Sequence, residues 1–141
     1  MHSSRRCLDP GCVLVVDDLP ENRLLVRLLL EDDYRVAEAS TGAQALARAR
    51  HVPPALVLLD LSLGGEDGHA VLAQLRDALP PETPILAFSA SMNRVRSTRL
   101  GFDGCVSKPI VDIGAFYSAI EATLTSPMTA TPRTEEAACR S

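Results

Sequence analysis

Between residues 11 and 125 the chain alternates short, continuous apolar runs with segments whose apolar residues recur every three or four positions. Cys12–Val16 is uninterrupted and rich in valine, the pattern of a strand covered on both faces. Pro20 suits the first turn of a helix, and Leu24, Leu25, Leu28 and Leu29 predict its apolar face. Residues 34–39 read as a second strand. Ser40 and Thr41 then offer a capping hydroxyl to a helix that carries Ala43, Leu46 and Ala47 and ends near His51.

After the Pro53-Pro54 break, residues 55–59 form a third apolar run that leads straight into Asp60. A glycine-rich loop holding Gly64, Gly65 and Gly68 precedes a helix with Val71, Leu72, Leu75 and Leu79 on its apolar face. Residues 85–88 predict a fourth strand ending at Ser89, and residues 93–100 a short polar helix. Gly104–Ser107 reads as a brief fifth strand, and Ile113, Phe116, Tyr117, Ile120 and Leu124 mark a last helix. Five strand–helix repeats imply an α/β fold around a parallel sheet, because parallel strands need crossover connections and these are right-handed. Residues 1–10 and 126–141 lack a periodic apolar face and are expected to be disordered, leaving one domain over residues 11–125.

Composition narrows the function classes. The chain has 141 residues with 14 Lys and Arg against 18 Asp and Glu, a formal charge of −4. That balance argues against a sequence-independent nucleic-acid binder, which needs a basic footprint to displace counterions. Aromatics are 4% with no Trp, so the core must be aliphatic. The apolar runs fall far short of the roughly 20 residues of a membrane helix. Arg5 and Arg6 precede an apolar run that stops at Asp17 with no small-residue cleavage site, so no secretory signal is expected. Cys7, Cys12, Cys105 and Cys139 form no CxxC pair, and His2, His51 and His69 have no partner at ligand spacing. Reduced thiols and a cytoplasmic setting follow as expectations. Arg94, Arg96 and Arg99 read as a solvated helix face.

The chemistry lies at the strand ends. In an open parallel sheet, ligands sit beyond the carboxyl ends of the strands. Asp17 and Asp18 follow the first strand, Asp60 the third, Ser89 the fourth and Lys108 the fifth. Taken singly, an Asp there is often a helix cap or turn residue, Ser89 an ordinary loop hydroxyl and Lys108 a solvated charge. All five on one edge are a different matter. Crowded carboxylates repel, and a hard divalent cation such as Mg2+, which favours carboxylates, waters and phosphate oxygens, removes that repulsion. Lys108 beside them can pair a carboxylate or hold a phosphoryl oxygen.

With these residues placed, the sequence resembles the receiver domain of two-component response regulators. The resemblance rests on Val15 through Asp18 with Pro20, Asn22 and Arg23; on Leu58 through Leu63 with Asp67-Gly68; on Ala87 through Ala90; and on Val106 through Ile110. It covers about residues 11–125, and the Pro20, Asn22, Arg23 pattern looks like receivers of hybrid kinases and phosphorelays. It implies a flavodoxin-like, doubly wound, five-stranded parallel sheet of order 2-1-3-4-5. Asp60 would be the phosphoacceptor for a phosphohistidine on a sensor histidine kinase or histidine phosphotransfer protein. Asp17, Asp18, Asp60 and the backbone carbonyl of Ser62 would hold Mg2+, with Asp18 the direct ligand ahead of Asp17. Ser89 would hydrogen-bond the phosphoryl group and Lys108 would pair with it, next to a cis Lys108-Pro109 bond. Such a domain signals and is not an enzyme, although it removes its own phosphoryl group. Ser62 and Ser91, being small, predict a phosphorylated lifetime of minutes.

Three departures from the family pattern stand out. Cys105 occupies the position of the usual switch aromatic. Ser89 to Lys108 spans 19 residues, about three fewer than usual, or roughly one helical turn. Gly64 stands where Pro is common and is expected to loosen its loop. Too little chain follows Pro109 for an output domain of the usual minimum of roughly 50 residues. A stand-alone receiver is therefore expected, acting through a downstream protein or a relay. The alternative is a binding module of the same fold that signals without phosphorylation. A flavodoxin-type carrier lacks its phosphate cradle here, since the loop after the first strand is Asp-Asp-Leu-Pro. An aspartate-nucleophile phosphatase lacks its Asp-x-Asp-x-Thr run.

Overall fold

The computed structural model describes residues 11–90 and 101–125. The expected disordered ends (1–10 and 126–141) and the polar helix at 93–100, with Ser91, Arg94, Arg96 and Arg99, lie outside the described residues. Five strands form one parallel sheet: β1 (Cys12–Val16), β2 (Arg35–Ala39), β3 (Leu56–Asp60), β6 (Ile85–Ser89) and β7 (Gly104–Ser107). Their order is β2-β1-β3-β6-β7, the predicted order once the small hairpin of β4 (Ser62–Leu63) and β5 (Glu66–Asp67) is set aside. Four described helices flank the sheet: α1 (Pro20–Leu30), α2 (Gly42–His51), α3 (Gly68–Ala78) and α4 (Ile113–Thr125). Among the described residues no helix is long and apolar enough to cross a membrane.

Every residue of β1 and β3 is buried, which explains their continuous apolar runs. Alternate residues feed two layers. Leu14, Val16, Val57 and Leu59 pack with Ala45 and Ala49 of α2 and Val71, Leu72 and Leu75 of α3. Val13, Val15, Leu56 and Leu58 pack with Val26 and Leu30 of α1 and Phe116 and Ile120 of α4. The α3 face matches its periodicity, and Thr41 caps α2 as expected by accepting from the Gln44 amide at 3.1 Å.

Two helix faces differ from the expectation. On α1 the buried residues are Val26 and Leu30, while Leu24, Leu25 and Leu28 are exposed. Apolar side chains occur nearly all round this helix, so spacing alone admits more than one face. On α2 the buried alanines are Ala45 and Ala49, with Leu46 partly buried, while Ala43 and Ala47 face solvent. Alanines lie on more than one side of this helix, and the docking geometry chooses the face. Ile113 and Tyr117 on α4 are likewise exposed.

The loop after Asp60 also differs. Instead of a loosened loop, Gly64 and Gly65, with φ of 54° and 99°, close a two-residue hairpin that pairs Leu63 with Glu66 and Ser62 with Asp67. Consecutive positive φ values suit the turn that matches strand twist, and proline, locked near −65°, cannot supply them.

Candidate functional site

Parallel register aligns the carboxyl ends of the central strands. Val16 lies level with Leu59, Asp60 with Phe88, and Ser89 with Ser107. Asp17, Asp60, Ser89 and Lys108 therefore emerge on one edge of the sheet, and Asp18 follows Asp17 into the same space. Asp17, Asp18 and Asp60 each present a carboxylate oxygen, and these oxygens lie within 4.8 Å of one another. Asp17 and Asp60 are buried and Asp18 is half-buried.

Asp17 is the most densely bonded of the three. Its Oδ1 accepts from the Leu19 amide at 2.9 Å, and its Oδ2 accepts from Asn22 Nδ2 at 3.1 Å and Lys108 Nζ at 3.0 Å. Its main-chain carbonyl accepts from Arg23 Nη1 at 2.7 Å. Arg23 continues through Nε to Glu38 of β2 at 3.2 Å, tying the first turn of α1 to the sheet edge. The α1 N-cap is Leu19, which has no side-chain cap bond. Asp17 instead serves the Leu19 amide, so its helix-entry role and its place in the acidic cluster coexist.

Asp60 Oδ1 accepts from the Ser62 amide at 3.1 Å and lies 3.4 Å from Lys108 Nζ. Burial pushes the Asp60 carboxyl above its ordinary value. The Ser62 amide pulls it back, the charge of Asp17 raises it further, and Lys108 lowers it. Lys108 bridges Asp17 and Asp60 with its ammonium 5.0 Å from the centroid of Phe88, so the Phe88 ring floors the site. Its backbone amide donates to the Ser89 carbonyl at 3.2 Å, fixing where β7 leaves the sheet, just before the cis Lys108-Pro109 bond. Ser89 closes β6, half-buried. Ser62, exposed on β4, is two residues from Asp60.

Three carboxylates against one ammonium leave an excess of negative charge in a partly enclosed space, the donor set a hard divalent cation fits. All-oxygen ligation, without thiolate or imidazole, favours Mg2+ over softer metals. Cys105, half-buried in β7, packs against the α2/α3 side of the core as a small apolar residue.

Sequence reasoning left Asn22, Arg23 and Phe88 without roles. Asn22 and Arg23 stand in the Pro-Glu-Asn-Arg run as the third and fourth residues of α1. Only the fold places them on Asp17.

A family model described as the response regulator receiver domain matches residues 13–121. Transcriptional regulatory protein ResD of Bacillus subtilis (strain 168) is 38% identical over 101 residues, covering 69% of this chain and 41% of its own length. Transcriptional regulatory protein KdpE of Mycobacterium tuberculosis is 41% identical over 101 residues, covering 69% and 44%. The chain thus spans less than half the length of these curated relatives. Among solved structures, the receiver domain of NtrX from Brucella abortus superposes with a TM-score of 0.73 at 30% identity, covering 82% of this chain and 99% of that one. Vibrio cholerae chemotaxis protein CheY4 shares the fold at 24% identity, with a TM-score of 0.72 over 80% of this chain and 98% of its own.

Proposed function

The chain belongs to the response regulator receiver family, and on that footing we propose that Asp60 accepts a phosphoryl group from a phosphohistidine in a Mg2+-dependent reaction. The observation that carries this reading is the trio of carboxylates within 4.8 Å, with Lys108 spanning two of them. Asp17, Asp18 and Asp60, with the Ser62 carbonyl, would hold the cation. Bound there, it would neutralise the charge that three carboxylates and a phosphoryl group bring together.

The residues divide the remaining work. An Asp60 carboxylate oxygen forms the new O–P bond as the P–N bond of the donor breaks, and the electron pair stays on the imidazole, which then takes up a proton. The Ser62 amide holds Asp60 Oδ1, which orients the carboxylate before attack. Asp17 keeps Lys108 within reach of Asp60, where its ammonium can pair with a phosphoryl oxygen. Ser89 supplies a hydroxyl at the end of β6. Ser62 is exposed and carries no bulk that would screen the phosphoryl group from water, which supports self-dephosphorylation within minutes.

Receiver domains work with histidine kinases and downstream targets. For this chain, the apolar surface of α1 supports docking of a helical partner, either a sensor histidine kinase or a histidine phosphotransfer protein. Leu24, Leu25 and Leu28 are exposed on it, and Leu19 precedes it directly after Asp17 and Asp18. Output then passes by protein–protein contact or by onward relay.

The test is labelling by a small radiolabelled phosphodonor. Label should require Mg2+, reach Asp60 and disappear in Asp60→Asn. Label retained in that variant would sink the reading. If neither label nor any amide shift with beryllofluoride occurred in the wild type, the non-phosphorylated binding module would be the better account.

A further inference from the structure

The β4–β5 hairpin lies immediately after Asp60, yet two of its acids serve helices and not the pocket. Glu66 Oε1 accepts from the Gly42 amide at the start of α2, at 2.7 Å. Asp67 Oδ1 accepts from the His69 amide at the start of α3, at 2.9 Å. Gly42 is required for the first contact, since a Cβ there would sit 2.9 Å from Glu66 Oε1 and 2.8 Å from Val71 Cγ2. The same hairpin borders the metal site on its other side. Gly64 approaches Asp18 so closely that a Cβ on it would lie 3.2 Å from Asp18 Oδ2. Ser62 pairs with Asp67 across the strands and Leu63 with Glu66, so a pull on one strand is felt on the other.

We infer that Glu66 is a positioning residue for the Mg2+ site: its bond to the first amide of α2 holds the hairpin so that Ser62 and Gly64 stay seated beside Asp60 and Asp18. This rests on the phosphoacceptor reading above. A side-chain oxygen accepting from a helix-start amide satisfies a donor that has no partner within the helix, so the bond fixes where the hairpin lies against α2. The Gly64-Gly65 turn makes it reachable, because a two-residue hairpin sets Glu66 opposite Leu63 and beside α2. Loss of the bond frees the Glu66 strand from α2, while buried Leu63 and the Asp67 bond to the His69 amide stay in place.

The experiment measures Mg2+ dissociation constants by amide NMR titration of the full chain, with hydrogen exchange at the Gly42 amide as a second readout. Glu66→Ala should weaken Mg2+ binding about tenfold, the lower end of what outer-sphere partners supply to a metal site, and should speed exchange at Gly42. Glu66→Gln keeps an acceptor oxygen and should remain within about twofold of wild type in both. Glu82→Ala, which removes an exposed acid elsewhere on the surface, controls for charge alone. Wild-type-like affinity in Glu66→Ala overturns the inference, as does a Glu66→Gln loss equal to that of alanine, which would make the effect one of charge. A wild type that binds no Mg2+ overturns the phosphoacceptor reading and the inference with it; one whose binding is lost in Asp18→Asn but unchanged in Glu66→Ala overturns the inference only.

Discussion

In the α2/α3 layer, Val71, Leu72 and Leu75 meet Leu14, Val57 and Leu59 with nothing polar to satisfy, and each contact supports its neighbours. A few residues along the same strands, at the carboxyl edge, buried Asp17 and Asp60 face each other and half-buried Asp18 across one lysine. One region gains stability from everything placed in it. The other holds like charges together and is stable only because the layers around it are. Local conflict of this kind, set on a consistent framework, is where binding free energy can be released by a ligand that resolves it.

Breaking the layer should have the largest effect. Leu75→Ala removes a fully buried side chain and should lower stability by about 2–5 kcal/mol, read by urea denaturation. Lys108→Ala attacks the edge through the ammonium that bridges Asp17 and Asp60. Fully buried Asp17 would keep the Leu19 amide and Asn22 but lose its ammonium, and the metal-free protein should lose about 2 kcal/mol. Mg2+ should restore part of that loss. An unchanged midpoint would show that the edge is not under the strain described.

The sign should reverse at Asp60. Burial holds its carboxyl above the ordinary value of 3.8, so its contribution to stability is complete below that value and is lost as pH rises through the folded one. Asp60→Asn cannot lose a proton there. In the absence of metal its Tm should exceed that of the wild type at pH 7. The gap should narrow as pH falls toward about 4, and saturating Mg2+ should close it. A variant less stable than wild type at pH 7 would contradict the account.

The smallest effect on stability is expected on the α1 surface. Leu28→Ala, at a residue 55% exposed, should change stability by less than about 0.5 kcal/mol. It should leave small-donor labelling intact while slowing transfer from a helical phosphohistidine partner. Equal rates from both donors would remove α1 from the docking surface.

Much of this was legible in the chain. The valine- and leucine-rich runs of β1 and β3 read as buried strands because both faces are covered, with Asp17 directly after the first and Asp60 closing the second. The α3 face was legible because Val71, Leu72, Leu75 and Leu79 leave only one apolar stripe. The faces of α1 and α2 were not, since leucines surround one helix and alanines the other. Gly64 misled in a particular way. Glycine permits looseness, but beside Gly65 and between pairing residues it also permits the one turn that closes a hairpin.

The sequence by itself determined the alternation of strands and helices, and hence a parallel sheet with Asp17, Asp18, Asp60, Ser89 and Lys108 at one edge, because period and strand-end position are local properties. Tertiary structure decided which leucines are core and which are surface, because that depends on where each helix docks. It also decided that Glu66 meets Gly42 across 24 residues and that Asn22 and Arg23 converge on Asp17. Those contacts depend on the sheet bringing separate loops together, which no spacing along the chain records.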